Sequence, residues 1–389
     1  MNKIGLSVCY DTKNFGSQLQ VLATIKKIED LGYESEIIRY KKKFSLYFLM
    51  QQMPRLFNFY FIKGKLRGRK KEKAIKNNAE VYSNVLVRDK RFLEFQKKYF
   101  TNLSEEYIGW KNLVNGVKKE YSAFLCGSDQ LWLPSNLESH FYTLEYAPEN
   151  KIKISYAPSF GVSEIPWYQR NRTKRYLNRF QALSIRELKG AEIIKGLTGN
   201  EVNVVCDPTL LLTKKEWDET LPNKNIINEK YIFCYFLGEN IEHRKEAEKL
   251  REKTDYKIVT IPFLDNFVEH DLKFGDYKMF DIDTEDFVNL IRNAEYVLTD
   301  SFHGTIFSIL NHKKFITFNR FENGKDSRNS RIDSLCKLLG LESRRFNTNI
   351  KFQIHNDIDY EAVEEKLNEF REDSIKFLST ALNNIGNFN

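Results

Sequence analysis

The sequence predicts an α/β protein with two parallel-sheet domains, and three observations lead to this prediction. From residue 3 onwards, short apolar runs alternate with stretches of helical apolar spacing, as in βαβ units. The alternation restarts at Tyr231, after a stretch at 213–225 that has no strong period. A chain of 389 residues also exceeds the length of one ordinary domain. We therefore expect an N-terminal domain over 1–222 and a C-terminal domain over 223–389.

The first domain opens with a βαβ unit. A buried strand over 3–10 leads through a polar loop to an apolar-periodic helix, 18–31, which Gly32 closes, and the strand 33–40 follows. Further elements predicted before the junction are strands 123–127, 152–157, 182–186 and 202–206 and helices 167–180 and 188–197.

The second domain begins with a strand at 231–236 and ends with a long helix, 359–382, that we expect to pack back across the junction. Between them we predict helices 241–253, 284–294, 303–311 and near 328–339, and strands 257–261, 296–298 and 315–318. Ligands of open α/β sheets bind beyond the carboxyl ends of strands. This rule directs attention to loops 11–17, 127–132, 157–161, 186–188 and 299–305.

The composition and the start of the chain narrow the protein class. Hydrophobic residues make up 41% and charged residues 29%, which is ordinary for a globular protein. No apolar run is long enough to span a bilayer, and no export signal precedes the first strand, so we expect a cytoplasmic protein. The five cysteines lack C-x-x-C spacing, which predicts buried free thiols rather than a zinc site.

The basic charge is concentrated in the segment 41–75, which contains 11 Lys/Arg and one Glu, for a net charge of 11 − 1 = +10. The whole chain carries +8, so the remainder carries 8 − 10 = −2. Seven aromatic residues lie between Phe44 and Phe61. Aromatics beside cations suit an anionic membrane surface. A helical insertion with a solvated basic face is the alternative, and we do not expect nucleic acid to be the partner.

The turn at 299–305 is the strongest candidate for a binding site. Asp300 and Ser301 leave an apolar strand and Gly304 opens an apolar helix, whose N-terminal N–H groups and dipole favour an anion. Glycine permits close approach of a ligand. His303 can exchange a proton near neutral pH. Alternatively, Asp300 or Ser301 only caps the helix and His303 is a satisfied buried residue.

Two further side chains follow predicted strands. Arg186 can clamp a carboxylate or phosphate bidentately, or else it pairs with Glu187 or another neighbour. Asp129 can bind a sugar hydroxyl or act as a base, with Trp132 as an apolar platform, or else it is an ordinary turn residue.

Two other motifs are weaker. The loop 14–17 lacks both glycine-rich phosphate-binding patterns, which argues against a dinucleotide enzyme and against a P-loop NTPase. Asp281 and Asp283 match a D-x-D metal and nucleotide-sugar pattern, but Asp283 stands at the start of a predicted helix, so we favour a cap.

The order of these segments resembles the polysaccharide pyruvyl transferase family from Lys3 to about Leu341. The segments are Asn14-Phe-Gly-Ser-Gln-Leu-Gln20, Cys126-Gly-Ser-Asp-Gln-Leu-Trp132, Ser155-Tyr-Ala-Pro-Ser-Phe-Gly161, Ser184-Ile-Arg-Glu187, Asp207-Pro-Thr-Leu-Leu-Leu212 and Thr299-Asp-Ser-Phe-His-Gly-Thr305. The resemblance implies a GT-B-like fold, with two Rossmann-like domains facing a cleft, and neither metal nor cofactor. It also implies transfer of the pyruvyl group of phosphoenolpyruvate to a sugar, forming a ketal and releasing phosphate. The implied acceptor is a glycan or polyprenyl-linked oligosaccharide of a capsule or exopolysaccharide, at the inner membrane face.

The resemblance also assigns site residues. The family's donor-site arginine falls on Arg186 and its active-site histidine on His303, and Asp129 is our third catalytic candidate. Some relatives carry a second arginine where this chain has Ser301, so we expect its charge to come from Arg328, Arg331, Lys314 or the helix N-terminus. The substrate-binding candidates are Asn14, Gly16, Gln20, Ser128, Gln130, Ser301, Gly304, Arg328 and Arg331. Two alternative functions stay open: a nucleotide-sugar glycosyltransferase of the same fold, and a non-catalytic membrane or scaffold component of a glycan assembly complex.

Overall fold

A computed structural model describes most of the chain. The described residues are 2–43, 68, 72–134, 140–264, 268–320, 329–347 and 349–385. Most of the basic segment 41–75 lies outside these ranges, and so does Arg328. The predicted membrane contact of that segment and the predicted role of Arg328 therefore stay predictions.

The first half of the chain forms a seven-stranded parallel sheet with the strand order β3-β2-β1-β4-β5-β6-β7. Its central strands are apolar and buried on both faces, as expected for a sheet covered by helices on each side. The strands are β1 Lys3–Ser7, β2 Glu34–Lys41, β3 Leu103–Ile108, β4 Ala123–Asp129, β5 Ile152–Pro158, β6 Ala182–Ile185 and β7 Asn203–Val204.

Helices connect these strands, and local capping explains where two of them begin. Asn14 accepts a hydrogen bond from the Ser17 backbone N–H (3.1 Å) at the start of α1, and Thr213 and Glu216 form a capping box at the start of α7. The helices are α1 Phe15–Asp30, α2 Ala79–Tyr99, α3 Trp110–Gly116, α4 Arg170–Leu177, α5 Leu188–Thr198, α6 Pro208–Leu211 and α7 Lys214–Thr220.

The second half forms a five-stranded parallel sheet with the order β10-β9-β8-β11-β12. Its strands are β8 Tyr231–Tyr235, β9 Lys257–Thr260, β10 Tyr277–Lys278, β11 Tyr296–Thr299 and β12 Lys314–Thr317. Its helices are α8 Ile241–Thr254, α9 Thr284–Asn293, α10 Phe302–Leu310, α11 Ser330–Leu339, α12 Ile350–Gln353 and α13 Tyr360–Asn383. The predicted α/β fold with two Rossmann-like parallel sheets and a long C-terminal helix is confirmed. The division into domains at 222/223 stays a prediction, and the two sheets lie on either side of that point.

The two halves are in direct contact through α1 and α9. The ring of Phe15 stacks on that of Phe287 with centroids 4.9 Å apart, and the hydroxyl of Thr284 donates to the Gln18 side chain (2.6 Å). The helix α13 returns to the first half, where Arg371 donates to the carbonyl of Leu210 (2.7 Å). These contacts bring the carboxyl ends of β4–β6 close to the N-terminus of α10.

Some elements were not predicted or differ in length. The strand β3 and the helices α2 and α3 were not predicted. The strand β3 lies at the edge of the sheet and buries only Ser104 and Tyr107, so its sequence contains no apolar run. The helix predicted at 167–180 is a single 3-10 turn followed by α4, which ends at Leu177. The weakly periodic stretch 213–225 contains α7, which buries only Trp217.

The thiol prediction is confirmed. All five cysteines lie in the described ranges and are free, four of them buried and Cys9 half-buried. No helix in the described ranges is both long and apolar enough to cross a bilayer.

Candidate active site

The candidate site lies where the carboxyl ends of β4–β6 meet the first turn of α10. Asp129 ends β4, Arg186 directly follows β6, and Asp207 caps α6, all in the first half of the chain. His303 belongs to the first turn of α10 in the second half, and Arg331 to α11. Both halves are therefore needed to build the site.

The buried carboxylate of Asp207 joins these elements. Its Oδ2 accepts from Nη1 of Arg186 and from Nε2 of Gln20, each at 2.5 Å, and lies 3.7 Å from Nε2 of His303. Its Oδ1 accepts from the backbone N–H and the hydroxyl of Thr209 (3.1 and 2.7 Å). Burial alone would raise the pKa of Asp207, but the nearby His303 and Arg186 and these hydrogen bonds outweigh it and lower that pKa well below its usual range. Asp207 is therefore an anion that positions its neighbours.

The guanidinium groups of two arginines lie against the ring of Phe302. The guanidinium carbon of Arg186 lies 4.8 Å from the ring centroid and that of Arg331 lies 5.5 Å from it. Burial and the charge of Arg186 lower the pKa of Arg331 to about 9, which reflects two cations held close together away from water. In the described part of the chain, Nε and Nη2 of Arg186 and Nε of Arg331 are buried and have no hydrogen-bond partner. Unpaired guanidinium donors in such a place are suited to a carboxylate or phosphate.

The imidazole of His303 packs directly against the backbone of α1. A Cβ built on Gly16 would lie 1.9 Å from Nδ1 of His303, so only glycine fits beside the ring. The side chain is largely buried, and its Nε2 has no hydrogen-bond partner among the described residues. The ring therefore reaches across from the second half of the chain with Nε2 close to Asp207.

Asp129 is held in a strained backbone conformation with φ of +80°. Its Oδ2 accepts from the hydroxyl of Ser17 (2.6 Å) and its Oδ1 from the backbone N–H of Gln130 (2.8 Å). Burial would raise the pKa of Asp129, but the charge of Arg186 and the hydrogen bond from Ser17 outweigh it, and the pKa lies below its usual value. Asp129 is thus ionised, and it is a weaker base than an ordinary aspartate.

Glu187 is a second buried carboxyl beside the arginines. Its Oε1 accepts from the hydroxyl of Ser159 (2.9 Å) and the backbone N–H of Phe160 (3.0 Å), while its Oε2 is buried and has no partner in the described ranges. Burial raises the pKa of Glu187, against the opposing charges of Arg186 and Arg331. The ion pair of Arg186 is with Asp207 (2.5 Å) rather than with the adjacent Glu187.

Four of the remaining predicted residues fall into two pairs. Asn14 caps α1 and Ser301 caps α10, where its hydroxyl accepts from the Gly304 N–H (3.3 Å), so both act on helix starts. Gln20 and Ser128 are buried and hydrogen-bonded to each other (3.2 Å), which directs them towards Asp207.

Gln130 differs from that group. Its buried Nε2 has no partner among the described residues, and it would lie 2.8 Å from a Cβ added to Gly161. The side-chain amide of Gln130 therefore retains hydrogen-bonding capacity near the loop that follows β5.

The contacts of Trp132, Lys314 and Asp283 decide three of the predicted roles. Trp132 is not a platform, because it is fully buried and its indole N–H donates to the carbonyl of Tyr142 (3.0 Å). Lys314 starts β12 at the end opposite the site and pairs with Asp357, so it does not replace the arginine absent at position 301. Asp283 is a helix cap as expected, since it accepts from the Asp286 N–H (2.9 Å).

Asp300 is also structural. It accepts from the backbone N–H groups of Leu237 and Gly238, each at 2.8 Å, beyond the carboxyl end of β8. A phosphate at this strand end would have to compete with Asp300 for these N–H groups.

Asp207 and Ser17 are the residues that the sequence prediction missed. Asp207 directly follows a predicted strand and precedes Pro208, which marked it only as a strand end. Asp207 could have been predicted by the rule that singled out Arg186, because both residues follow the carboxyl end of a parallel strand. Within the described ranges, no group of three or more His, Cys, Asp or Glu side chains is arranged to hold a metal ion.

A family model described as polysaccharide pyruvyl transferase matches residues 14–321. The chain belongs to the polysaccharide pyruvyl transferase family. The match includes Asp129, Arg186, Asp207 and His303 and ends before Arg331. Membership identifies this pyruvyl transferase family protein as a transferase enzyme of polysaccharide modification, and the non-catalytic alternative loses its support.

Other comparisons concern solved structures and curated proteins. The UDP-GlcNAc 2-epimerase of Methanocaldococcus jannaschii has a TM-score of 0.49 at 12% identity, covering 94% of this chain and 99% of the epimerase. The enzyme of that name from Neisseria meningitidis, bound to UDP-GlcNAc, has a TM-score of 0.48 at 10% identity, covering 97% and 94%. The E. coli heptosyltransferase WaaC with ADP has a TM-score of 0.39 at 10% identity, covering 95% and 100%. No curated protein matches this pyruvyl transferase family member.

Proposed function

We propose that the protein transfers the pyruvyl group of phosphoenolpyruvate to two hydroxyls of one sugar in a polysaccharide or its lipid-linked precursor. The products are a pyruvate ketal and phosphate. Neither metal nor cofactor has a role in the proposed reaction.

The observation that carries the proposal is the pair of arginines around Phe302. Arg186 and Arg331 leave buried N–H groups unpaired within the described ranges, and their charges repel each other. A ligand with two anionic groups relieves that repulsion and satisfies those donors. Phosphoenolpyruvate has a carboxylate and a phosphate only a few bonds apart, which suits two cations that both lie against the ring of Phe302. Arg331 then supplies the positive charge that the chain lacks at Ser301.

The proposed chemistry starts from the enol phosphate of the donor. A proton adds to its methylene carbon, which becomes a methyl group, and the neighbouring carbon becomes oxocarbenium-like. One sugar hydroxyl attacks that carbon, and a second hydroxyl closes the ring as the bond to the phosphate oxygen breaks. Of the two hydroxyl protons, one replaces the proton given to carbon and the other leaves with phosphate.

Proton transfer is assigned to His303. The buried Nε2 faces the interior of the site and has Asp207 at 3.7 Å to orient it. A positioned general acid or base contributes about 10²–10⁴ in rate. Asp129 binds an acceptor hydroxyl as an ionised carboxylate, because its lowered pKa suits it to accepting a hydrogen bond better than to removing a proton.

The test is release of phosphate. Purified protein is mixed with phosphoenolpyruvate and a panel of lipid-linked and nitrophenyl glycosides, and pyruvyl adducts are identified by mass. We expect His303→Ala to lose ~10²–10⁴ in rate. His312→Ala is the matched control, because His312 is exposed and pairs with Glu364 (3.0 Å). Equal rates for His303→Ala and the wild type would remove His303 from the mechanism, and absence of any pyruvyl adduct would refute the proposed reaction.

We also propose that the segment 41–75 contacts an anionic membrane surface, because its eleven cations lie beside aromatic residues. The measurement is co-sedimentation with vesicles that contain anionic lipid, compared with vesicles of neutral lipid. Binding that is equal for the two, or that survives deletion of 44–62, would argue against the membrane contact.

A further inference from the structure

A group of aromatic rings lies at the carboxyl edge of the first sheet, with Phe141 buried, Trp110 exposed and the other rings half-buried. We call it the aromatic tract, and its members are Tyr40, Trp110, His140, Phe141 and Tyr142. Tyr40 stacks on Phe141 (5.3 Å between centroids) and meets Trp110 edge to face (6.3 Å), and Trp110 in turn meets His140 (5.8 Å). The indole of Trp110 is 37% exposed, although the surrounding rings are buried or half-buried.

The topology of the sheet connects the tract to Asp129. Tyr40 is the penultimate residue of β2, Trp110 follows β3, and Asp129 ends β4, so all lie at the carboxyl edge of one parallel sheet. The order β3-β2-β1-β4 separates Trp110 from Asp129 by three strand spacings, or ~14 Å at ~4.8 Å each. That distance exceeds the width of a single sugar ring.

Close contacts bridge the interval between the two ends. The thiol of Cys9, just beyond β1, donates to the hydroxyl of Tyr142 (3.3 Å), and the Trp132 indole donates to the Tyr142 carbonyl (3.0 Å). Trp132 is three residues from Asp129 in the chain. These contacts pack Tyr142, at one end of the tract, against the buried Trp132 in the segment that follows Asp129.

Polar groups border the rings. His140 has φ of +55°, and its Nδ1 lies 2.5 Å from the carboxylate of Glu145, which also accepts from the hydroxyl of Thr143 (2.8 Å). Nη2 of Arg172 lies 3.0 Å from the same imidazole. Apolar ring faces beside a small, charge-balanced set of donors and acceptors suit the C–H faces and hydroxyls of an uncharged glycan.

We propose that the aromatic tract binds sugar residues of the acceptor beyond the one that receives the pyruvyl group. This inference depends on the proposed function for the identity of the acceptor, and it specifies an oligosaccharide of more than one residue. The far end of the tract lies beside Lys43, because a Cβ on Gly109 would lie 3.3 Å from Cβ of Lys43. A lipid-linked oligosaccharide bound along the tract therefore extends towards Lys43.

Glycan binding without donor tests the inference separately from the reaction. The full-length protein is applied to an array of bacterial surface oligosaccharides of one to five residues, and the glycans it retains are titrated by tryptophan fluorescence. We expect retention of glycans with two or more residues, and roughly tenfold weaker binding by Trp110→Ala. Trp167→Ala is the matched control, since Trp167 is 83% exposed and lies outside the tract.

A second variant and a kinetic measurement distinguish a loss of glycan binding from a defect in folding. Trp110→Leu keeps apolar bulk, and its melting temperature is compared with that of the wild type. With phosphoenolpyruvate present, we expect both Trp110 variants to raise KM for oligosaccharides about tenfold and to leave KM for the monosaccharide unchanged. Retention of monosaccharides alone, no retention of any glycan, or equal binding by Trp110→Ala and wild type would overturn the inference. If the inference about glycan binding fails but phosphate is still released, the proposed function is not contradicted.

Discussion

Gly16 and His303 are in van der Waals contact across the two halves of the chain, with no room for a side chain at position 16. A Cβ there would lie 1.9 Å from Nδ1, 2.3 Å from Cγ and 2.6 Å from Cε1 of the imidazole. The backbone of α1 thus determines how far the histidine reaches towards Asp207. The position of a proposed catalytic group depends on how α10 is seated against α1.

Replacing Gly16 by alanine is expected to displace the imidazole and to reduce kcat by about 10²-fold, since a misplacement of ~1 Å can cost that much. Phosphate release measures the rate, and circular dichroism checks that the helices are retained. Gly196→Ala is the control, because within the described ranges no atom outside its neighbouring residues and its own helical backbone lies within 4 Å of a Cβ at that position. If both alanine variants keep the wild-type rate, the contact with Gly16 does not position His303.

Asp207→Asn is expected to lower the free energy of unfolding by about 3–5 kcal/mol, because it leaves the buried charge of Arg186 uncompensated. Urea denaturation measures this loss. Asp357→Asn, which affects an exposed pair with Lys314, is expected to cost at most ~1 kcal/mol.

The pH dependence of that loss follows from the lowered pKa of Asp207. Its stabilising effect is fully present above the unfolded-state pKa of about 3.9 and is lost as the pH falls through the lower folded-state pKa. The difference in stability between the wild type and Asp207→Asn should therefore begin to shrink as the pH falls below about 4, and it should continue to shrink towards lower pH. A constant difference down to the lowest measurable pH would contradict this account.

Glu187→Gln is expected to raise the free energy of unfolding, and to do so at high rather than low pH. The pKa of Glu187 is raised by burial, so ionising it costs folding free energy as the pH rises above the unfolded-state value of about 4.3. Glutamine can still accept from Ser159 and Phe160, and it stays neutral. We expect the variant to be more stable than the wild type at pH 8 and to lose that advantage towards pH 5. Chemical denaturation at both values measures the difference, and a variant that is less stable at pH 8 would refute it.

Phosphoenolpyruvate is expected to raise the melting temperature by relieving the repulsion between Arg186 and Arg331. Ligand at about 100 times its Kd adds ~2.7 kcal/mol to the folded state. Arg331→Gln should raise the Kd at least about tenfold, since a charge-assisted hydrogen bond is worth ~1.5–3 kcal/mol. At the same ligand concentration the stabilisation would then fall to about 1.4 kcal/mol or less. Arg251→Gln is the control, because the side chain of Arg251 is 42% exposed and pairs with Glu248 (2.6 Å). An equal thermal shift for both variants would remove Arg331 from the donor site.

The fold could be predicted because the spacing of apolar residues in the sequence follows which faces of the strands and helices are buried. The central strands bury both faces and appear as continuous apolar runs, whereas the edge strand β3 carries Glu105 and Glu106 and has no such run. The helices around β3 were missed for the same reason, since α2 buries only Val81, Phe92 and Phe95 over 21 residues.

The site was partly predictable because parallel strands bring their carboxyl ends together. That rule singled out Asp129 and Arg186, and the turn after β11 singled out His303. It did not reveal that Asp207 joins Arg186 to His303, because those contacts depend on how the two halves are packed. Trp132 was misassigned because a tryptophan after a strand looks the same in sequence whether its ring faces solvent or the core.

The helix α13 supports the backbone on both sides of Asp207. The hydroxyl of Ser374 accepts from the Cys206 N–H (2.9 Å), and Arg371 donates to the carbonyl of Leu210 (2.7 Å). During translation, α13 leaves the ribosome after Asp129, Arg186, Asp207, His303 and Arg331 have all been made. A nascent chain therefore carries the complete set of reactive side chains before the loop at Asp207 is fastened.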